Sequence, residues 1–475
     1  MSTMASSHLL EIPPERRIYA NRTLNLRSIR AIGYDMDYTL IHYRVEEWER
    51  GAYEQARSSL AERGWPVAEL SFDPTKVIRG LTLDLELGNL VKPTRFGYVI
   101  KASHGTEALD FDRLRRAYHG TVVNLAEERF VFLNTLFSLS EAALYAQLID
   151  LLDEGLLPGR MSYADVYRTV RTTIDEAHME GTLKDRITAD PDRFVVPDPD
   201  TAAALVDQHR AGKRLLLITN SGWDYTRQMM PYAFDPHLPD GLTWRDLFEV
   251  VIVSASKPGF FGGNRPLFEV VDEEQGLLSP HPGTADAGGV YLGGNAAELE
   301  QGLGLSGDQI LYVGDHLFAD VHVSKALLSW RTALILRELE SEVRDQNEFV
   351  TREERLQSLM ARKEQMQRRL SLLQLDRQHA KSAGNDYREL SGAVDELHRG
   401  LSRLDEDIGP LARAAGEIRN EAWGPLMRSG NDKSLFARQV ERYADVYTSR
   451  ASNFLFETPY AFLRAARGSL PHDPA

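Results

Sequence analysis

The sequence contains no cysteine, and this absence excludes several kinds of chemistry at once. Disulfide bonds, zinc–thiolate sites and cysteine nucleophiles all need a thiol, so none of them can form within this chain. Any catalytic group must come from oxygen or nitrogen side chains, and the composition does not require an oxidising compartment.

Long apolar runs and an excess of positive charge are also missing. No apolar stretch approaches the ~18 residues that a membrane span needs, and residues 1–17 have no sustained apolar segment of the kind found in signal peptides. We therefore expect a cytoplasmic protein with no membrane partner. The formal net charge is −15, whereas nucleic acids usually bind a basic face. We expect no nucleic acid partner, and any bound phosphate must be held by a local site.

Short apolar segments that lead into polar residues suggest the fold class. Such segments, separated by helical stretches, are typical of a parallel sheet covered on both faces, where ligands bind outside the carboxyl ends of the strands. We therefore predict an α/β fold with a site at that edge. The predicted strands are Ile29–Tyr34, Arg214–Thr219, Val250–Val253, Gln309–Val313 and a fifth, Thr332–Leu336, and the helical stretches include Ala202–Gly212 and Ala296–Leu303.

A large insertion separates the first two predicted strands. Residues 46–197 are too many for a loop, and helical periodicity near Leu139–Glu154 and Tyr163–Met179 indicates a folded unit. We predict an inserted cap domain that lies over the site and carries substrate specificity. Residues 1–45 and 198–336 would then form the catalytic core.

The rest of the chain has a different composition. Residues 337–422 are dense in Glu, Arg, Leu and Gln, and the break at 382–386 resembles a turn between two helices. We predict a long antiparallel helical hairpin, most simply a packing or interaction arm. Residues 423–475 are aromatic and apolar enough to dock on the core.

Asp35 and Asp37 stand two residues apart at the end of the first predicted strand. There, one carboxylate can act as a nucleophile and the other as a proton donor and acceptor. An isolated pair of aspartates is more often a solvated loop or a helix cap, but the other strand ends add partners. Asp315 and Asp320 follow the fourth strand, and four carboxylates with a single Lys257 require a cation. Oxygen ligands and a phosphate substrate favour Mg²⁺.

The second and third strand ends offer donors for phosphate oxygens. Thr219, Asn220 and Ser221 carry hydroxyl, amide and main-chain donors, although they would cap the next helix equally well. Lys257 could stabilise a transferring phosphoryl group, although a lone lysine before a proline is usually part of a surface loop. We interpret all four as phosphate-binding residues.

Two neighbouring features have simpler explanations. His316 adjoins Asp315, but a hard Mg²⁺ site rarely takes imidazole, so we expect a supporting or packing role. The pairs Gly288-Gly289 and Gly293-Gly294 lack the spacing of a dinucleotide-binding fingerprint, and we predict turns there.

Four polar segments follow the predicted strands in this order: Asp35-Met36-Asp37-Tyr38-Thr39-Leu40, Thr219-Asn220-Ser221, Lys257-Pro258 and Gly314-Asp315-His316-Leu317-Phe318-Ala319-Asp320. Together they resemble the four motifs of the haloacid dehalogenase superfamily. The resemblance implies a Rossmann-like core in which Asp35 attacks phosphorus, Asp37 is the general acid and base, and Asp315 binds Mg²⁺, with Asp320 in support. We take Asp35, Asp37 and Asp315 as the metal ligands.

Further segments extend the likeness along most of the chain: Gly88-Asn89-Leu90-Val91-Lys92, Leu133-Asn134-Thr135-Leu136-Phe137, Tyr291-Leu292-Gly293-Gly294-Asn295 and Gln439-Val440-Glu441-Arg442-Tyr443-Ala444-Asp445. With the four motifs they resemble the cytosolic purine 5′-nucleotidases, which act on inosine and guanosine monophosphates. The resemblance also implies a homo-oligomer, either a dimer or a tetramer.

The same resemblance implies a nucleoside pocket in the cap, formed by Phe137, Arg171, Asp175, His178 and Lys184. The spacing of Arg171, Asp175 and His178 places them on one face of a helix, and Phe137 could stack on a purine base. From spacing alone, an exposed Arg–Asp pair with a neighbouring histidine is the more common arrangement. The resemblance favours the pocket.

The sequence departs from the family at some positions. Phe318, Gln439 and Tyr443 match a nucleotide-activator site, but two basic positions of that site are Asn124 and Ala326 here. A polyphosphate activator would therefore bind weakly or elsewhere. An aromatic position beside His178 is Met179, which leaves the base preference open.

The leading hypothesis is a Mg²⁺-dependent 5′-nucleotidase that hydrolyses purine nucleoside 5′-monophosphates through an aspartyl-phosphate on Asp35. The same intermediate would allow phosphate transfer to a nucleoside. One alternative is a phosphatase of another small phosphomonoester, such as a sugar phosphate, because the cap sets the substrate. The other is a catalytically idle scaffold that assembles through the hairpin.

Overall fold

The computed structural model describes residues 12–179 and 182–468, with side chains described except at residues 177–179 and 182. Two compact units emerge. The larger comprises Met1–Glu340 with Leu426–Ala475, and the smaller is Ser341–Pro425. In the described part of the chain no helix combines the length and apolarity needed to cross a membrane.

The strands of the described residues are short and occur along the whole larger unit. In chain order they are β1 (Tyr19–Ala20), β2 (Leu24–Asn25), β3 (Ala31–Tyr34), β4 (His42–Tyr43), β5 (Thr82–Asp84), β6 (Asn89–Pro93), β7 (Val99–His104), β8 (Glu107–Ala108), β9 (Phe130–Phe132), β10 (Val195–Val196), β11 (Arg214–Ile218), β12 (Phe248–Val253), β13 (Leu267–Asp272), β14 (Leu277–His281), β15 (Gly289–Gly293), β16 (Ile310–Gly314), β17 (Arg331–Ile335), β18 (Arg428–Ser429), β19 (Asp432–Lys433), β20 (Val446–Thr448) and β21 (Phe462–Leu463).

The α-helices range from single turns to one of 44 residues. They are α1 (Val45–Glu62), α2 (Phe111–Tyr118), α3 (Leu139–Asp153), α4 (Tyr163–Met179), α5 (Thr182–Ala189), α6 (Pro191–Phe194), α7 (Pro199–Arg210), α8 (Trp223–Phe234), α9 (Trp244–Leu247), α10 (Gly259–Gly262), α11 (Ala296–Leu303), α12 (Val323–Leu328), α13 (Leu339–Ser382), α14 (Arg388–Gly416) and α15 (Leu435–Tyr443).

The main sheet has the order β1-β20-β17-β16-β3-β11-β12-β15-β13-β14 among the described residues. The seven strands from β20 to β15 run parallel, while β1, β13 and β14 add antiparallel edges. Strands β3 and β16 are buried along their whole length, as expected for a sheet covered on both faces. The predicted α/β fold with a parallel sheet is confirmed.

The register of the central strands aligns their carboxyl ends. Tyr34 at the end of β3 pairs with Leu217 of β11 and with Val313 of β16. The next residue after Tyr34 is Asp35, so the loops after these strands begin side by side. This register explains how motifs hundreds of residues apart in sequence meet in one place.

Helix α11 shows how local sequence sets an element boundary. The Asn295 side chain accepts a hydrogen bond from the Glu298 N–H and so caps the first turn. Gly304 ends the helix at φ +63°, a left-handed conformation that glycine adopts readily. The helix therefore spans the residues that were predicted.

The insertion contains more β-structure than its helical periodicity predicts. Strands β8-β7-β6-β5-β9 form an antiparallel sheet, accompanied by α1, α3 and α4. At the two ends of the insertion, β4 and β10 pair with each other, with Tyr43 opposite Val195. The division into core and cap remains our proposal.

Strand β15 corrects the prediction of two turns at its glycine pairs. Gly288, Gly293 and Gly294 have φ of +82°, +80° and +73°, as turns require, but the residues between them pair with β12 and β13. Only three apolar residues lie between the glycine pairs, and a run this short does not predict a strand. The turns bound the strand instead of replacing it.

The smaller unit is built from most of α13 and from α14, and the predicted long helical hairpin is confirmed. Leu370, Val394 and Leu401 form its buried apolar core, with Met366, Leu373 and Leu397 packed against them. Lys363 and Asp405 join the two helices by an ion pair of 2.5 Å. In the larger unit, the C-terminal segment contributes β20, which pairs with β17.

Candidate active site

Four loops at the carboxyl edge of the main sheet supply the polar residues of the site. Asp35 directly follows β3, Thr219 follows β11, Lys257 lies in the loop after β12, and Asp315 directly follows β16. Ser254 and Ser256 in the third of these loops have positive φ values of 46° and 57°. Strained non-glycine backbone of this kind is often found at functional sites.

Lys257 lies between two carboxylates at the base of the site. Its Nζ is 2.9 Å from Asp35 Oδ1 and 2.8 Å from Asp320 Oδ1. The exposed fractions of these side chains are 2%, 13% and 1% for Lys257, Asp35 and Asp320, so water screens the charges weakly. The pKa of Asp35 is raised to about 7, chiefly by burial; Lys257 opposes this rise and repulsion from Asp320 adds to it.

Asp35, Asp315 and Asp320 form an acidic cluster in which one oxygen of each lies within 4.8 Å of the others. Burial, followed by repulsion from Asp320 and Asp35, raises the pKa of Asp315 well above its usual range. One lysine cannot neutralise three carboxylates, two of which are buried. A hard divalent cation with oxygen ligands fits this donor set.

Asp320 reaches the cluster from a π-helical turn, Leu317–His322. Such turns frequently occur at functional sites. Its Oδ2 accepts a hydrogen bond from the His316 N–H at 3.1 Å. Gly314 makes room for it, because a Cβ atom at that position would lie 2.5 Å from Asp320 Oδ2.

His316 has the supporting position that its chemistry suggested. Burial lowers its pKa to about 4, so the ring is neutral near pH 7. Its Nδ1 accepts a hydrogen bond from the Ala319 N–H at 3.0 Å, which caps the π-helical turn. This nitrogen is therefore engaged by the main chain.

Asn220 joins the second and third loops by a reciprocal pair of hydrogen bonds. Its Oδ1 accepts from the Lys257 N–H at 2.6 Å, and its Nδ2 donates to the Lys257 carbonyl at 3.1 Å. Thr219 Oγ1 accepts from the Ser221 N–H at 3.1 Å and shapes the turn. The Asn220 side chain thus fixes the Lys257 loop, while substrate contacts by these residues remain a prediction.

A model of the 5′ nucleotidase family matches residues 18–475 of the chain. The chain belongs to the 5′-nucleotidase family. A 5′-nucleotidase domain-containing protein of Dictyostelium discoideum is 28% identical over 475 residues, which cover 98% of this chain and 76% of that protein. The predicted family is confirmed, and this 5′-nucleotidase family member is a phosphoric monoester hydrolase.

Solved structures show only a faint overall likeness to the enzyme. A predicted phosphoglycolate phosphatase of Haemophilus somnus has a TM-score of 0.27 at 13% identity, covering 65% of this chain and 85% of its own. An archaeal β-phosphoglucomutase from a Pyrococcus species has a TM-score of 0.30 at 8% identity, covering 65% and 86%. The fold assignment depends on the strand order and loop positions of the chain itself.

Asp37 faces a different set of partners from Asp35. Tyr43 donates a hydrogen bond to its Oδ1 at 2.6 Å, and Ser221 donates to its Oδ2 at 2.5 Å. Its carboxylate is not a member of the acidic cluster that contains Asp35. A role for the Asp37 side chain as a metal ligand therefore stays a prediction that these contacts do not support.

The residues predicted for a nucleoside pocket lie on three elements of the enzyme. The Phe137 ring packs against Tyr38 at 4.8 Å between centroids. Arg171 of α4 donates to Asp175 at 3.0 Å, in the helix pairing that spacing alone suggested, and also to the buried Glu141 at 2.8 Å. The side chain of His178 lies outside the described residues.

Lys184 reaches the catalytic loops from α5. Its Nζ donates to Ser221 Oγ at 2.8 Å and lies 4.9 Å above the Tyr225 ring. The structure therefore brings Lys184 into the neighbourhood of Asp37, in addition to its predicted role with the nucleoside.

Sequence reasoning missed several residues that contact the predicted ones. Tyr312 accepts a hydrogen bond from Lys257 Nζ at 2.9 Å and donates to the Ile218 carbonyl at 3.0 Å. Tyr43 donates a hydrogen bond to Asp37 and lies next to Tyr225, and Glu141 accepts a hydrogen bond from Arg171. A tyrosine in an apolar strand or helix looks like a core residue, so no local signal distinguishes these side chains.

The residues that match an activator site are aromatic neighbours in the enzyme. The Phe318 ring is 5.6 Å from Phe132 and 6.0 Å from Tyr443, and His322 is 4.1 Å from Tyr443. Asn124 is an exposed turn residue whose Oδ1 accepts from the Ala126 N–H. Weak activation by polyphosphates stays a prediction.

Proposed function

We propose that the enzyme is a Mg²⁺-dependent 5′-nucleotidase that hydrolyses purine nucleoside 5′-monophosphates through an aspartyl-phosphate on Asp35. The observation that carries this proposal is the buried Asp35–Lys257–Asp320 arrangement beside Asp315, at the carboxyl edge of a parallel sheet. Membership of the 5′-nucleotidase family supports the nucleoside monophosphate as substrate.

Asp35 is assigned as the nucleophile because hydrogen bonds hold one of its carboxylate oxygens in place and leave the other to attack phosphorus. Oδ1 is held by Lys257 Nζ at 2.9 Å and by the Met36 N–H at 2.8 Å. We assign attack to Oδ2. In the first step its bond to phosphorus forms while the bond from phosphorus to the ester oxygen breaks.

Asp37 is assigned as the general acid and base. In the first step it gives its proton to the ester oxygen, which leaves as the nucleoside hydroxyl. In the second step it takes a proton from water while the water oxygen bonds to phosphorus and the bond to Asp35 breaks. The net reaction consumes one water and releases one phosphate.

Asp35 and Asp315 would hold the metal ion, with Asp320 completing the negative charge around it. When bound, Mg²⁺ supplies positive charge that reduces the repulsion between a carboxylate nucleophile and a phosphate dianion. The chain's own contribution is Lys257, which orients Asp35 and faces the developing charge of the transferring group.

The base would be recognised by residues of the insertion. Phe137 offers a ring for stacking, and Arg171 is held at a fixed angle by Asp175 and Glu141. An arginine held in this way offers its remaining N–H groups to a purine edge.

A panel of nucleoside 5′-monophosphates and sugar phosphates tests the proposal. Release of inorganic phosphate is measured with Mg²⁺ or with EDTA, for the wild type and for Asp35→Asn. We expect magnesium-dependent release from inosine or guanosine monophosphate and no release by Asp35→Asn. Release only from sugar phosphates would refute the substrate assignment, and release with EDTA would refute the role of the metal.

Arg171→Lys tests the pocket with less disturbance than alanine. Lysine keeps the charge but cannot contact Glu141 and Asp175 in the same forked geometry. KM for the purine monophosphate should rise roughly tenfold, equivalent to about 1.4 kcal/mol, with little change in kcat. Equal kinetics for Arg171→Lys and the wild type would place base recognition elsewhere.

A further inference from the structure

Each oxygen of the Asp37 carboxylate accepts a hydrogen bond from a side-chain hydroxyl. Tyr43 donates to Oδ1 at 2.6 Å and Ser221 donates to Oδ2 at 2.5 Å. Asp37 is 8% exposed, Tyr43 is 3% exposed and Ser221 is 2% exposed. Two donors on opposite oxygens fix the plane of the carboxylate, which is the group that must face the leaving oxygen.

Tyr225 adds a second hydrogen bond behind Tyr43. The Tyr43 and Tyr225 hydroxyl oxygens lie 2.9 Å apart, and geometry alone allows either to donate. A tyrosine hydroxyl has one proton, and that of Tyr43 is already donated to Asp37. Tyr225 must therefore donate to Tyr43, which gives a directed chain from Tyr225 through Tyr43 to Asp37.

Both tyrosines keep their protons at neutral pH. Burial and the nearby Asp37 carboxylate raise the pKa of Tyr43 and of Tyr225 well above the usual value of 10. Both members of the chain are therefore neutral hydrogen-bond donors near pH 7.

The backbone turn after Asp37 brings Tyr43 to this position. Tyr38 has φ +55°, and the N–H groups of Leu40 and Ile41 both donate to the Met36 carbonyl. The chain thus reverses directly after Asp37. Tyr43 then pairs with Val195 in the β4–β10 ribbon, which holds its side chain under the carboxylate.

Tyr225 is positioned by a separate element. It lies in the first turn of α8, directly after the loop that carries Ser221. Lys184 contacts both of these residues, since its Nζ donates to Ser221 Oγ at 2.8 Å and lies 4.9 Å from the Tyr225 ring. Lys184 therefore links Ser221, which donates to Asp37 directly, with Tyr225, which reaches Asp37 through Tyr43.

We infer that Tyr43 and Tyr225 are positioning residues for the proton transfers of phosphomonoester hydrolysis: Tyr43 orients Asp37, and Tyr225 acts only through Tyr43. This inference rests on the proposed function, in which Asp37 protonates the leaving nucleoside oxygen. Neither tyrosine touches the phosphoryl group in this role.

The leaving group distinguishes positioning from a purely structural role. An alkyl oxygen such as the nucleoside 5′-oxygen needs a proton as the P–O bond breaks, whereas p-nitrophenolate leaves without one. Loss of a well-oriented Asp37 should therefore slow phosphoryl transfer to Asp35 from the nucleoside monophosphate and spare that transfer from p-nitrophenyl phosphate. The value of kcat/KM reports this first step, whereas the later attack of water on the aspartyl-phosphate is the same for both substrates. A disordered site would slow both substrates equally.

The experiment measures kcat and KM on inosine 5′-monophosphate and p-nitrophenyl phosphate for Tyr43→Phe, Tyr225→Phe and the double variant. For Tyr43→Phe we expect kcat/KM on the nucleotide to fall about 30-fold, which is part of the roughly 10²–10⁴-fold that a general acid contributes. On p-nitrophenyl phosphate kcat/KM should fall less than about threefold. Tyr225→Phe should show the same selectivity with a smaller loss, and should add nothing to Tyr43→Phe.

Tyr118→Phe is the matched control. Its hydroxyl also donates to a buried aspartate, Asp84, at 2.9 Å, in the sheet of the insertion. It should leave kcat unchanged on both substrates. An equal loss of kcat/KM on both substrates for Tyr43→Phe, no loss on either, or additive effects in the double variant would overturn the inference.

Failure of the proposed function is visible in the same assay. If the wild type releases no phosphate from either substrate, or if Asp35→Asn releases it as fast as the wild type, the proposed function and the inference fall together. If Asp35→Asn is inactive and Tyr43→Phe keeps the wild-type ratio between the two substrates, only the inference falls.

Discussion

At the scale of single residues, Gly314 is where one added carbon would disturb the acidic cluster most directly. A Cβ atom there would lie 2.5 Å from Asp320 Oδ2 and 2.7 Å from Asp320 Cβ. Gly314→Ala must displace Asp320, which removes one of the two carboxylates that Lys257 contacts. We expect kcat for phosphate release to fall at least tenfold and the free energy of unfolding to fall by about 1–3 kcal/mol.

Gly392→Ala is the comparison variant for Gly314→Ala. Gly392 lies inside α14, and a Cβ atom there would meet nothing within 4 Å. Alanine in an exposed helix should leave kcat unchanged and raise stability by about 0.5–1 kcal/mol. If Gly314→Ala kept wild-type kcat, Asp320 would not matter for catalysis.

The contacts of Asp37 show what the sequence could not provide at this scale. Its position after a predicted strand was visible in the sequence, as was the acidic character of the site. Its partners were not, because Ser221 lies 184 residues away along the chain and Tyr43 reaches it only through the turn at Tyr38. Local patterns carry no information about which distant hydroxyl will face a carboxylate.

At the scale of elements, the packing of α1 against the start of α3 buries an unusual carboxyl group. Glu49 of α1 is 0% exposed, and its Oε2 accepts a hydrogen bond from the Ser140 N–H at 2.9 Å. Burial raises the pKa of Glu49 to about 8. Its protonation therefore couples the stability of this helix pair to pH.

The sign of that coupling follows from the two pKa values. The unfolded chain releases the Glu49 proton near pH 4.5 and the folded chain releases it only near pH 8, so the folded state binds more protons between these values. Stability due to this group should fall as pH rises from about 4.5 to 8. The full loss should be on the order of 5 kcal/mol.

Glu49→Gln tests this coupling by thermal unfolding at pH 5, 7 and 9. Glutamine keeps an acceptor for Ser140 but cannot ionise, so the melting temperature of the variant should exceed that of the wild type by more at pH 9 than at pH 5. Glu62→Gln, an exposed change in the same helix, should shift the melting temperature equally at all three values. A constant difference for Glu49→Gln would contradict the prediction.

The elements themselves were predictable where apolar content and length were decisive. β3, β11, β12, β16 and β17 coincide closely with predicted segments, because buried parallel strands read as apolar runs. The sheet of the insertion was missed, since its strands are short and four of the six residues of β7 are only half-buried. β15 was missed because glycines bound it on both sides.

At the scale of the whole molecule, the chemistry and the long hairpin belong to different units. The acidic cluster and its loops lie in the larger unit, while α14 and most of α13 form the smaller one. Leu401→Ala, at 9% exposure in the hairpin core, should lower hairpin stability by about 2–3 kcal/mol. Hydrogen exchange should quicken in residues 388–416 while kcat stays at the wild-type value.

A core variant provides the contrast for Leu401→Ala. Leu216 of β11 is 0% exposed in the main sheet, so Leu216→Ala should destabilise the larger unit by about 3–5 kcal/mol and lower the temperature at which activity is lost. If Leu401→Ala reduced kcat at temperatures where it remains folded, the hairpin would contribute to turnover and the separation of roles would be wrong.

Metal binding should be visible in the stability of the whole larger unit. A cation that binds the folded acidic cluster and not the unfolded chain stabilises the fold by mass action, by about 2.7 kcal/mol at a hundred times its dissociation constant. Mg²⁺ should therefore raise the wild-type melting temperature relative to EDTA. Asp315→Asn removes one oxygen charge from the cluster and should abolish most of that increase.

Asp445→Asn makes the metal experiment specific. Asp445 is 1% exposed, forms ion pairs with Lys325 and with Arg331, and is not a member of the acidic cluster. Its substitution should therefore lower the melting temperature both with Mg²⁺ and with EDTA. The increase caused by Mg²⁺ should nevertheless persist in Asp445→Asn. If Asp315→Asn also kept the full increase, Mg²⁺ would bind elsewhere, because a carboxylate that contributes a ligand cannot be neutralised without loss of affinity.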